Sequence, residues 1–153
     1  TYSAVVYVAC ENDFDSDDSD SDGRQSLVSV REVIGQLARI AGRFEAGVTV
    51  LLTTHLQYEV GDVLLDAGAT RGELDHTRRI IADLGRESAA AGFRFAAWSD
   101  IVSGYRRETK SILAPFALYV DHTHLSRAGN RLLAEKLVSL RNHAPADAAT
   151  RAR

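Results

Sequence analysis

Methionine is absent from this chain, proline occurs twice and cysteine once. A single cysteine, Cys10, excludes an internal disulfide and leaves the redox compartment undecided. No apolar run approaches the ~20 residues a membrane-spanning helix needs. The chain also opens without the charged-then-apolar segment of a signal peptide, so its localisation stays open. Neither sign of charge dominates: 18 basic and 21 acidic residues leave a formal net charge of −3. That balance gives no reason to expect nucleic acid or an anionic membrane as partner.

What remains is the composition of a soluble globular protein, 45% hydrophobic and 25% charged over 153 residues. A compact fold of this length buries roughly 70% of its unfolded surface, so one domain is expected. We place it at residues 1–142, with a frayed Ala/Arg-rich tail at 143–153. The chain begins almost directly on a strand and without methionine. The expectation is a processed polypeptide or the later part of a longer one.

The apolar pattern alternates between two periods. Ser3 to Ala9 is a near-continuous β-rich run, the pattern of a strand covered on both faces. An aspartate-rich loop over Glu11 to Arg24 follows. Leu27, Val30, Val33, Ile34, Leu37, Ile40, Ala41 and Phe44 then fall at helical spacing. Val48 to Thr54 predicts a second buried strand, and His55 to Gly72 a long loop. Leu74, Thr77, Ile81, Leu84, Ser88 and Ala91 predict a second helix, which Gly92 stops. Phe93 to Trp98 reads as a short third strand, followed by a turn and an irregular segment around Pro115. Ser126 suits the N-cap of a last helix whose apolar stripe is Ala128, Leu132, Leu133, Leu137 and Leu140. There is no internal repeat. Strands alternating with helices predict an α/β fold, a parallel sheet sandwiched between helices. Catalytic groups in such sheets collect at the carboxyl ends of the strands.

Asp121-His122-Thr123-His124-Leu125-Ser126, just before the last helix, carries the clearest chemical signal. A carboxylate three residues ahead of an imidazole can accept a hydrogen bond from one ring nitrogen, fixing the tautomer and leaving the other as a base. That is two-thirds of a serine-type triad. The same residues, as His122-x-His124 with Asp121, also have zinc-ligand chemistry, but no second cluster of matching spacing accompanies them.

These residues and a second block resemble one family. Val5-Val6-Tyr7-Val8-Ala9-Cys10-Glu11-Asn12-Asp13-Phe14 is similar to a conserved block of the SGNH (GDSL-type) hydrolases, a strand ending in Gly-x-Asn-Asp. Asp121 to Ser126 resembles their last block, Asp-x-x-His followed by Leu-Ser and a C-terminal helix. Both stand in the family's order and span about residues 2–142. The resemblance implies a three-layer α/β/α sandwich of flavodoxin-like type and the hydrolysis of a carboxylic ester without a cofactor. The ester could be a small molecule, a glycan or a lipid, and transfer to an acceptor other than water is open. His124 would be the general base, Asp121 its orienting acid and Asn12 an oxyanion donor, with Asp13 bracing the loop. The chain departs from the family in lacking Gly-Asp-Ser and the glycine oxyanion donor, and in carrying Cys10 where a glycine is usual. The implied nucleophile is therefore a serine outside this chain, and N-terminal strands of the family's sheet are missing.

Two further features keep other readings open. Asp18-Ser19-Asp20-Ser21-Asp22-Gly23 alternates carboxylates before a glycine, as calcium loops do. Its twelfth position, Ser29, is not the glutamate of an EF-hand, and a solvated Asp/Ser loop is the competing reading. The rival function is thus a non-catalytic α/β module, calcium-binding through Asp18, Asp20 and Asp22. His55 and Tyr58, just after the second strand, line a substrate pocket or serve as ordinary loop residues. Cys10 reads as a small buried residue rather than a nucleophile, since nothing near it in sequence lowers its pKa. Trp98 and Tyr105 belong to core or pocket.

Overall fold

The computed structural model describes residues 4–14, 24–44, 47–60 and 71–142. Three strands, β1 (Ala4–Cys10), β2 (Gly47–Thr53) and β3 (Arg94–Ala97), form a parallel sheet in that order. The helices are α1 (Arg24–Phe44), a single turn α2 (Leu56–Glu59), α3 (Arg71–Ala90), α4 (Trp98–Thr109), a short α5 (Ala114–Ala117) and α6 (Arg127–Asn142). A 3-10 turn over Glu11–Phe14 continues directly from β1. The predicted α/β class and parallel sheet are thus observed. The predicted tail, 143–153, lies outside the described residues.

Burial explains the arrangement. Val48, Val50 and Leu52 of β2 share a core with Val30, Ile34, Leu37 and Ala41 of α1 and with Ile80 and Leu84 of α3. Val5 and Tyr7 of β1 and Phe95 of β3 pack against the same core. Each such aliphatic or aromatic side chain contributes about 1.5–3 kcal/mol when fully buried. Alternation turns Thr49 and Leu51 to the opposite face, and they are buried too, so both faces of β2 are covered. A second core joins Trp98 and Val102 of α4 to Leu118, Tyr119 and the partly buried Ala128, Leu132 and Leu133 of α6. β1 is at the edge of the sheet, and on one of its faces Val6 and Val8 are exposed. Among the described residues, the two-sided cover expected for β1 is not there.

Three helices differ from the expectation, among them the short α5, which lies where an irregular segment around Pro115 is expected. The segment taken as irregular after the third strand is largely α4, twelve residues long. Its Trp98, Ile101, Val102 and Tyr105 recur at helical spacing and pack together. Trp98 is therefore the first residue of a helix rather than the last of a strand. Within the loop expected after β2, Leu56–Glu59 forms the turn α2.

Glycine is required at two points. At the end of α3 the Gly92 N–H donates to the Ala89 carbonyl and the Phe93 N–H to the Ser88 carbonyl. This paired closure needs a left-handed residue, and Gly92 has φ +73°. At the start of α6, a Cβ on Gly129 would stand 2.2 Å from the Leu118 carbonyl oxygen. Only glycine lets the helix approach that closely.

Candidate active site

Parallel pairing puts the carboxyl ends of the strands at one edge of the sheet. Cys10 pairs with Thr53 and Ala97 with Leu52, so Cys10–Glu11, Thr53–His55 and Trp98 emerge together. The stretch between α5 and α6 is tied to the same edge. The Tyr119 hydroxyl donates to the Thr54 carbonyl at 2.7 Å and accepts from Trp98 Nε1 at 2.8 Å. The Leu56 N–H donates to the His122 carbonyl at 2.9 Å. The buried Trp98 thus acts in the core and, through its N–H, in holding the candidate site.

Asp121 and His124 occupy a tight loop closed on itself. Tyr119 bridges Leu125 in antiparallel fashion, and the Val120 N–H donates to the His124 carbonyl at 2.9 Å. Ser126 caps α6 as expected: its hydroxyl accepts from the Gly129 N–H at 3.2 Å and donates to the Ala117 carbonyl at 2.7 Å. Asp121 Oδ1 accepts from the backbone N–H groups of His124 at 2.7 Å and Thr123 at 2.8 Å. The other oxygen, Oδ2, is 2.8 Å from His124 Nδ1. The backbone donors first, and then the imidazole, hold the Asp121 carboxyl well below the usual carboxylate range. With Nδ1 facing the carboxylate, Nε2 is the ring nitrogen left to act as a base. The pair is open to solvent, the His124 side chain being 77% and the Asp121 side chain 46% exposed.

A second imidazole–carboxylate pair lies at the same edge and is sheltered. Glu11 Oε1 stands 2.6 Å from His55 Nδ1, with side chains 10% and 14% exposed. The same oxygen accepts from the His55 backbone N–H at 3.3 Å. The other ring nitrogen, Nε2, lies 3.7 Å from Cys10 Sγ. Cys10 is half-buried, and parallel pairing brings His55, distant in sequence, beside its thiol. Asp13 does brace the loop, its Oδ2 accepting from the Cys10 N–H at 2.8 Å.

Beneath His55, Glu59 of α2 is buried and accepts a hydrogen bond from the Thr54 hydroxyl. Desolvation pushes its carboxyl up to about 7; the Thr54 hydrogen bond opposes this and the nearby charge of Glu11 adds to it. Sequence gave no warning of Glu59 or of Glu11.

Of the predicted site residues, the structure joins Asp121 to His124 and ties their loop to the segment that carries His55. Asn12 lies in the 3-10 turn, but its side chain is outside what is described, so the oxyanion assignment is too. Asp18, Asp20 and Asp22 likewise lie outside the described residues. Among the described residues, no group of three or more His, Cys, Asp or Glu is arranged to hold a metal ion. Among them, too, no helix is long and apolar enough to cross a membrane. No family model, curated protein or solved structure matches this chain.

Proposed function

We propose that this chain carries the acid–base half of a carboxylic ester hydrolase of the SGNH type, in a flavodoxin-like three-layer frame. The observation that carries the reading is the 2.8 Å contact between Asp121 Oδ2 and His124 Nδ1, within a carboxylate fixed by two backbone donors. A serine hydroxyl from outside the chain attacks the ester carbonyl, and its proton passes to His124 Nε2. Asp121 stabilises the imidazolium that results. The same proton is then given to the leaving alcohol, and water repeats the sequence to release the acid. Asn12 shares the oxyanion with backbone donors, a contribution typically worth about 10²–10³ in rate. No cofactor takes part.

Exposed Val120 and Phe116 lie just ahead of the Asp121 loop, where they suit the apolar part of an ester. The test is hydrolysis of a short-chain aryl ester by the polypeptide as its native source makes it. His124→Ala should lower kcat by about 10²–10⁴ with an unchanged circular-dichroism spectrum. Turnover that survives this substitution in a folded protein would remove the assignment.

A further inference from the structure

Cys10, His55 and Glu11 have the relations of a nucleophile, its base and an orienting acid. His55 Nδ1 is engaged by Glu11 Oε1 at 2.6 Å, which fixes the proton on that nitrogen and turns the Nε2 lone pair toward Cys10 Sγ at 3.7 Å. The three belong to two chain segments held by strand pairing, since Cys10 ends β1 opposite Thr53 and His55 follows two residues later. The backbone N–H of His55 donates to the same Glu11 oxygen, and that of Cys10 is fastened to Asp13. Both the thiol and the imidazole are thus anchored through main chain as well as side chain. The carboxylate and imidazole are sheltered from water, while Cys10 keeps partial access to solvent. Such a gradient is what a thiol nucleophile needs: a protected base behind and an open approach in front.

We propose that Cys10 accepts an acyl group from an activated carboxylic ester or thioester, with His55 as general base and Glu11 as the residue that positions it. The Cys10 S–H proton passes to His55 Nε2 as sulfur attacks the carbonyl carbon and the C–S bond forms. The tetrahedral intermediate expels the alkoxide or thiolate, which leaves with the proton from His55, and an acyl-thioester remains on Cys10. Water, deprotonated by His55, then adds to that carbonyl, the C–S bond breaks and the proton returns to sulfur. No electron is exchanged. Acyl transfer needs no second thiol, and Cys10 is the one cysteine of this sequence. This centre is built wholly from residues of the chain and is independent of the Asp121–His124 reading.

The probe is p-nitrophenyl acetate, read by nitrophenolate release, intact mass and peptide mapping. The expected result is one acetyl group per chain, on Cys10 and absent from Cys10→Ser. His55→Gln should acetylate about 10²-fold more slowly. Glu11→Gln should slow acetylation in a protein of unchanged circular-dichroism spectrum, which a purely structural carboxylate would not do, and Glu11→Asp should restore part of the rate. The peptide map of the unsubstituted protein keeps the test decisive even where a variant does not fold. An unmodified Cys10 with no nitrophenolate release beyond that of Cys10→Ser would overturn the proposal, as would acetylation indifferent to His55→Gln. The adduct is mapped to Cys10, and the His124→Ala turnover test is run in the Cys10→Ser background, so the two results are separate.

Discussion

The two imidazole–carboxylate pairs at one edge of the sheet are built in opposite ways. Asp121 and His124 are three residues apart, largely exposed, and placed by a loop that bonds to itself. Glu11 and His55 are forty-four positions apart, sheltered, and placed by the pairing of β1 with β2. Water screens the first pair, so its geometry rests on backbone donors more than on charge attraction. The second gains from a lower local dielectric but pays for desolvation, as the nearby Glu59 shows in its raised carboxyl. Local hydrogen bonding therefore sets one pair and tertiary packing the other.

Glu59 gives the largest expected effect, because it tests the cost of the sheltered side directly. Its folded-state value of about 7 lies above the ordinary 4.5, so the folded state binds the proton more tightly. Stability is then fully present below the ordinary value and declines as pH rises through about 7. The decline amounts to roughly 3 kcal/mol. Glu59→Gln keeps an acceptor for the Thr54 hydroxyl and removes the charge. Urea melts should show a variant more stable than the parent above neutrality, with most of this pH dependence gone. A parent whose stability is flat between pH ~5 and ~8 would contradict it.

Gly129→Ala strikes the exposed side. The added Cβ meets backbone, the Leu118 carbonyl oxygen, which also accepts from the Ser126 N–H. The start of α6 must shift, at a cost of about 1–3 kcal/mol. The Asp121–His124 loop should loosen with it while the Glu11–His55 contact persists. Histidine ring signals in NMR would report the two pairs separately, and equal disturbance of both would break the comparison.

How much of each pair could be read in the sequence follows from the same contrast. Asp121, His124 and the Ser126 cap are local, so their spacing carried their geometry, and continuous apolar runs marked β1 and β2. The Cys10–His55–Glu11 relation depends on which residue of β1 faces which of β2, and no local pattern encodes that. α4 was hidden for another reason. It follows β3 without a turn residue, and its N-cap, Ala97, makes no side-chain capping bond. His55, the N-cap of α2, makes none either, so that turn read as loop. The exposed Val6 and Val8 on β1 were read as buried because apolar continuity reports two-sided cover only when both faces find partners.

Tyr119→Phe should have a smaller effect, about 1–2 kcal/mol, from two buried polar groups losing one hydroxyl. It frees Trp98 Nε1 and the Thr54 carbonyl, the points where the exposed loop is fastened to the sheet. Hydrogen exchange should quicken at Val120 and Ser126 and stay unchanged across the β1–β2 ladder. Exchange that quickens equally in the ladder would show the two regions to be one cooperative unit.

Asp121→Asn should disturb stability least, and it separates geometry from charge. The asparagine oxygen can still accept from the N–H groups of Thr123 and His124, so the loop keeps its shape. What disappears is the titration. Asp121 has a folded-state value below the ordinary 3.8, so its contribution is present above that value and lost as pH falls through the lower one. The variant should therefore lack part of the parent's acid-side loss while keeping the decline through about 7 that belongs to Glu59. Thermal melts from about pH 2 to pH 9 would test both limbs in one series. If Asp121→Asn also flattened the alkaline limb, the exposed and sheltered carboxylates would be coupled, and each imidazole would answer to both.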